Sequence, residues 1–192
     1  MKTVSELTLE MIRLIKPLSP ETARSFNPPS NLKAIANLSS LIQAEIPIDL
    51  ASFWMTFDGQ DLNSSGVYDD DFLFLPVDGA ADEWEFSTDF FEKEDKTNWN
   101  ECLSDSGVAS VFWSKGWLPF AWSPDGSVLC ADLQPAVGGK KGQIIMNPIS
   151  ENHIYLLAPS FHHWLHELVM ELQSGRFKTD ASSGFLEYER KH

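Results

Sequence analysis

Between residues 117 and 157 the chain breaks into four short apolar runs separated by turn residues, a pattern that specifies an antiparallel-rich sheet. Trp117-Leu118-Pro119-Phe120-Ala121-Trp122, the turn Ser123-Pro124-Asp125-Gly126, and Ser127-Val128-Leu129-Cys130-Ala131-Asp132-Leu133 read as strand, turn, strand. Gln143-Ile144-Ile145-Met146 and His153-Ile154-Tyr155-Leu156-Leu157 supply two further strands. Phe72-Leu73-Phe74-Leu75-Pro76-Val77 is a wholly apolar strand candidate upstream.

Elsewhere the apolar period is helical. Val4, Leu7, Met11, Leu14 and Ile15 predict a helix over 4–18, closed by Pro17 and Pro20. Residues 19–29 hold three prolines and read as a connection. Ser30 is the expected N-cap of a helix bearing Leu32, Ile35, Leu38, Leu41 and Ile42. A further helix restarts at Ile48 with Pro47 near its first position, and Asp58-Gly59 turns the chain after it. Residues 80–100 are acidic and aromatic and are expected to be helical in part. Ser160 is the expected N-cap of a last helix carrying Phe161, Trp164, Leu165, Leu168, Val169 and Leu172, which Gly175 ends. The 192 residues fit one α+β domain, a twisted antiparallel-rich sheet with helices packed against it. The expected division is an N-terminal helix and Pro-rich connection over 1–29, the domain proper over 30–177, and a loosely held tail over 178–192.

Charge is concentrated rather than spread. From Asp58 to Asp105 fifteen carboxylates face only Lys93 and Lys96, which accounts for 13 of the 14 net negative charges. Such a segment repels nucleic acid and attracts a basic partner. No apolar run resembles a signal peptide or reaches 18 residues, so a cytoplasmic protein without membrane association is expected. Cys102 and Cys130 are expected to be reduced thiols in that compartment.

The candidate residues for chemistry form no constellation. His162 and His166 are four apart, but two ligands leave a metal's coordination open, and no Glu follows His162 as a zinc peptidase requires. Gly138, Gly139 and Gly142 surround Lys140 and Lys141, yet the spacing is not that of a phosphate loop, and a turn or bulge is the better reading. No Gly-x-Ser-x-Gly is present, and any two of 28 carboxylates would make an unspecific glycosidase pair. The expectation is a binding protein, not an enzyme, with no metal and no cofactor.

Five short motifs in order resemble the SUKH superfamily, the Smi/Knr group named for a fungal regulator of cell-wall assembly. Trp117-Leu118-Pro119-Phe120-Ala121 with Asp125-Gly126 is similar to its Trp-Ile-Pro-Ile-Ala strand and following turn. Cys130-Ala131-Asp132-Leu133-Gln134-Pro135 resembles a strand ending in Asp-Leu-x-Pro, and Gly139-Lys140-Lys141-Gly142-Gln143 the start of the next. Ala158-Pro159-Ser160-Phe161 with Trp164-Leu165 resembles its final helix, and Ile46-Pro47-Ile48-Asp49-Leu50 with Asp58-Gly59 its early helix and turn. The resemblance runs over about 32–175. It departs in having Asp-Gly for the family's Asn-Gly and in the helix over 4–18. Pro47, Gly59, Trp117, Pro119, Asp132, Pro135, Gly142, Gln143, Ser160, Phe161 and Trp164 are read as structural members of these motifs. Trp117 and Trp164 are expected to be packed together by the sheet and last helix.

The resemblance implies a non-catalytic domain that neutralises a cognate protein toxin, such as a nuclease or another nucleic-acid-directed effector, in bacterial competition. The partner expected is that toxin or another basic protein, not nucleic acid or a membrane, with the chain a monomer or weak dimer. The acidic segment lies in the family's variable middle. There Asp69, Asp70, Asp71, Asp82, Glu83, Trp84, Glu85, Asp89, Glu92 and Trp99 are the expected contact residues, with Phe86, Phe90 and Phe91 as further anchors. The alternatives are an intracellular regulator or scaffold, and a small-ligand binder or enzyme using a pocket near Asp132 or the His162–His166 turn.

Overall fold

Side chains along the sheet alternate between two unequal cores, and that alternation organises the whole molecule. The computed structural model describes residues 2–64, 66–67, 72–94, 101–148, 151–179 and 186–188. Four helices come first: α1 (Val4–Leu18), α2 (Pro20–Arg24), α3 (Leu32–Leu41) and α4 (Ile48–Trp54). After β1 (Leu73–Phe74) come α5 (Val77–Lys93), β2 (Leu103–Ser104), β3 (Trp117–Trp122), β4 (Val128–Asp132), β5 (Gln143–Asn147) and β6 (His153–Ala158). The chain closes with α6 (Phe161–Gln173) and a two-strand ribbon, β7 (Phe177–Thr179) and β8 (Leu186–Tyr188).

The six-stranded sheet has the order β1-β3-β4-β5-β6-β2, antiparallel throughout except where β2 runs parallel to β6. Leu118 and Phe120 of β3, Leu129 and Ala131 of β4, and Ile144 of β5 point into the larger core, with buried residues of α1, α3, α4 and α6. Their neighbours Trp117, Val128, Cys130 and Ile145 point to the other face and join Cys102, Val108 and Ile154 in a smaller one. Burial on both faces explains why β3 and β4 read as continuous apolar runs.

Trp117 and Trp164 therefore do not pack together. Trp117 is one residue out of phase with Leu118 and faces the smaller core, whereas Trp164 meets Phe74 and Phe120 in the larger one. Pro119 sits at a register shift in the β3–β4 ladder, where its missing N–H costs least.

Helix ends follow local chemistry. Thr3 and Glu6 close α1 with a reciprocal capping box. Asn31, not Ser30, caps α3: its Oδ1 accepts the Ala34 N–H at 3.0 Å, while the Ser30 N–H donates to the Trp54 carbonyl. The apolar run 72–77 yields only a two-residue strand. Pro76 cannot extend a ladder and instead stands at the N-cap of α5, so Val77 belongs to the helix. Ser160 caps α6 as expected, and Gly175 (φ +76°) follows its end. Residues 186–188 pair with β7 where a loose tail was expected. Most of the linker-like stretch before them lies outside the described residues.

Helices α1 and α6 pack on each other across the larger core. His162 Nε2 meets the Lys2 carbonyl at 2.8 Å, and the Gln173 amide donates to Glu10 at 2.7 Å.

Candidate functional site

Helix α5 bridges the two cores, and a hollow opens beside it. Its first turns contribute Val77 and Ala80 to the larger core. Towards its end Thr88 accepts the Trp113 indole N–H at 3.1 Å, and Phe91 stacks on Trp113 with centroids 6.3 Å apart. Trp113 in turn meets Trp117 edge-on. The start of α5 is fixed by Asp58, whose Oδ1 accepts the Val77 N–H at 2.8 Å.

Between α5 and one end of the sheet opens a groove of about 960 Å³. Helix α5 lines it with Glu83, Phe86, Ser87, Phe90 and Phe91, and the preceding loop of β3 adds Phe112 and Trp113. The rest comes from neighbouring strand ends: Trp122, Gly126 and Val128 at the β3–β4 turn, and Asn147, Glu151, His153 and Tyr155 around the β5–β6 connection. Among the described residues, seven of the sixteen that line it are aromatic and none is Lys or Arg, so the groove combines apolar walls with acidic groups. Phe86 and Phe90 stack one turn apart, centroids 6.2 Å, yet remain 65% and 41% exposed. Two large rings are thus left in water on one helix face.

The polar groups of the groove are mostly satisfied by each other. Asn147 donates to the Phe112 carbonyl at 2.8 Å, the Tyr155 hydroxyl to Glu151 at 2.5 Å, and His153 pairs with Asp105 at 3.0 Å. Glu83 differs. It is half-buried, and among the described residues its one hydrogen bond is from the Ser87 hydroxyl at 2.8 Å. Burial pushes its carboxyl above the usual range against that hydrogen bond. The fully buried Cys130 thiol is pushed up as well, first by its burial and then by the charges of Glu83 and Asp132.

The expected contact residues separate into groups. Asp82 and Glu85 are exposed on α5; Asp89 pairs with Lys93 at 2.6 Å and Glu92 with Lys115 at 2.5 Å. Trp84 is half-buried, packs against the larger core, and donates to the Lys115 carbonyl at 3.0 Å. Asp69, Asp70, Asp71 and Trp99 lie outside the described residues. The aromatics Phe112, Trp113, Trp122 and Tyr155 were not anticipated as site residues. No local pattern marks them, since folding alone brings them beside α5.

The motif residues instead join loops and cores. Asp132 is buried and accepts from the Gln143 amide at 3.0 Å and the Gln134 N–H at 3.1 Å. Gln143 also donates to the Gly107 carbonyl at 2.9 Å and accepts the Lys140 N–H at 2.9 Å. The Gly142 N–H (φ +83°) donates to the Asp132 carbonyl at 2.7 Å, so the glycine-rich segment is a turn. Pro135 closes on Gly139, and Pro47 stands at the start of α4. His163 meets Ser160 at 2.9 Å while His162 holds Lys2, and among the described residues no three His, Cys, Asp or Glu gather for a metal.

These carboxyls give stability a signed pH dependence. Glu83 and Asp132 are raised chiefly by burial, so the folded state holds their protons more tightly than the unfolded chain and gains stability as pH falls through their folded values. Asp61, held by the Asn63 N–H, and Asp105, held by His153, are lowered, and their contribution is lost as pH falls below the ordinary carboxylate range. The urea midpoint is expected to rise from pH 7 to about 5 and to fall below about pH 4. A midpoint falling steadily from pH 7 would contradict this assignment.

The model of the SMI1/KNR4 family (SUKH-1) matches residues 29–167. No curated protein matches the chain significantly. Among the described residues no helix is long and apolar enough to cross a membrane.

Proposed function

The chain belongs to the SMI1/KNR4 family (SUKH-1), which includes immunity proteins, and from that membership we propose that it is a non-catalytic domain that neutralises a cognate protein toxin. The observation that carries this reading is the open groove with its stacked, exposed Phe86 and Phe90 beneath an acidic helix. Aromatic anchors supply most of the energy of protein interfaces, while a surrounding charge of one sign speeds encounter and selects a partner of the other. Toxins directed at nucleic acid carry basic clefts, and α5 offers Asp78, Asp82, Glu83, Glu85, Asp89 and Glu92 against Lys93. An inhibitor needs such a face and no chemistry.

The groove's volume also lies in the range of small-molecule sites, which favours a ligand-binding role as the second reading. It lies beside neither Asp132 nor the His162–His166 turn.

Co-production with any toxin domain encoded beside its gene tests the proposal. The chain is expected to rescue growth against one such domain and to capture it in a salt-sensitive manner. Phe86→Ala with Phe90→Ala is expected to weaken capture at least about tenfold, since both rings are exposed and their loss leaves the cores intact. Rescue by none, with other cellular proteins retained instead, would move the chain to the regulatory or scaffold role of its fungal relatives.

A further inference from the structure

Resting on that reading of the groove, we propose that its occupant is a basic peptide segment of the partner that seats an arginine side chain on Glu83, against the stacked phenyl rings of α5. Glu83 is half-buried, and among the described residues its carboxylate accepts one hydrogen bond, from the Ser87 hydroxyl, and has no ion pair. A carboxylate so placed lacks both full hydration and a counter-charge, and an incoming cation supplies the second. Among the described residues the nearby cations do not. Lys93 and Lys115 are held by Asp89 and Glu92, and His153 by Asp105. Glu151, the other lining carboxylate, accepts from Tyr155.

The walls select the kind of cation. Phe86 and Phe90 lie within 19° of parallel, and Phe91 and Trp113 within 11°, so two flat aromatic pairs border the groove. A guanidinium is planar, weakly hydrated and able to stack on such faces while pairing a carboxylate through two N–H groups. An ammonium keeps its water more firmly and offers no plane. An anionic ligand such as nucleic acid is repelled by the same surface.

Fluorescence anisotropy with the full chain tests this. The probes are a labelled nonapeptide with three arginines spaced by Gly and Leu, and the same peptide with citrulline or lysine in place of arginine. The arginine peptide is expected to bind, the citrulline peptide at least about tenfold more weakly, and the lysine peptide in between. Glu83→Gln is expected to lose about tenfold towards the arginine peptide alone, with the circular dichroism spectrum unchanged. Glu167→Gln, exposed on α6 and outside the groove, is expected to change it less than about twofold. Equal binding of arginine and citrulline peptides, or an unaffected Glu83→Gln, overturns the inference; if Phe86→Ala with Phe90→Ala still abolishes toxin capture, the docking groove stands without it. No binding of the arginine peptide at about 1 mM overturns it too. A double variant that leaves both peptide binding and toxin capture intact removes the groove itself.

Discussion

Gly59→Ala is expected to destabilise the fold by at least about 3 kcal/mol, as much as deleting a large core side chain. Gly59 holds φ at +63°, where an L-residue with a Cβ costs roughly 1 kcal/mol. The larger effect is steric. An added Cβ would fall 2.3 Å from the Pro76 nitrogen and 2.4 Å from the Leu75 carbonyl carbon, both backbone atoms that no rotamer change can move. Shifting that strand disturbs what it supports: the Trp54 indole donates to the Leu75 carbonyl at 2.9 Å, and Gln60 pairs with Phe74. The adjacent Asp58 holds the first turn of α5, so the groove is disturbed with the core. Gly138→Ala is the matched control. Its φ is +91°, but nothing lies within 4 Å of the added carbon, and only the conformational cost of about 1 kcal/mol is expected. Urea unfolding of both variants measures the difference; a Gly59→Ala loss no greater than the control's would show that the turn yields at little cost.

Phe161→Ala is expected to cost about 3–5 kcal/mol, a large share of the stability of a domain this size. Phe161 is 2% exposed and makes ring contacts with Phe53, Phe120 and Trp164 at centroid distances of 5.4, 5.2 and 5.7 Å. It therefore joins α4, β3 and α6 at one point, and the rings around it cannot all collapse into the space it leaves. The midpoint of urea unfolding should fall with an unchanged slope, whereas Phe161→Leu should cost no more than about 1.5 kcal/mol. A loss below about 2 kcal/mol for the alanine variant would mean that the larger core relaxes around the gap.

The elements that the sequence made plain are those with an unambiguous period and a local stop. Helix α1 runs over Val4–Leu18 as its apolar spacing and prolines predict, and the β3–β4 hairpin turns at Asp125-Gly126 as its composition predicts. The misjudged stretches had signals that competed. Residues 72–77 are apolar enough for a strand, but Pro76 and the distant Asp58 carboxylate give the second half to α5. Trp117 and Trp164 were joined by size alone, although the alternation of β3 turns Trp117 away from the face on which α6 packs. The acidic, aromatic character of the candidate site was legible in α5, with Glu83, Phe86 and Phe90. Its other wall was not: Phe112, Trp122 and Tyr155 come from three distant segments, and only the order of strands in the sheet sets them around one hollow.

The packing of α1 on α6 also sets when the molecule is finished. Their joining hydrogen bonds link residues 160 and 163 positions apart, so the apolar face of α1 waits for α6 to leave the ribosome. At ordinary rates of synthesis that interval is on the order of ten seconds. Until then the larger core lacks Phe161, Trp164 and Leu165. A domain closed in this way becomes competent late and all at once, and nascent chains halted before α6 would occupy ribosomes or chaperones without contributing any active protein.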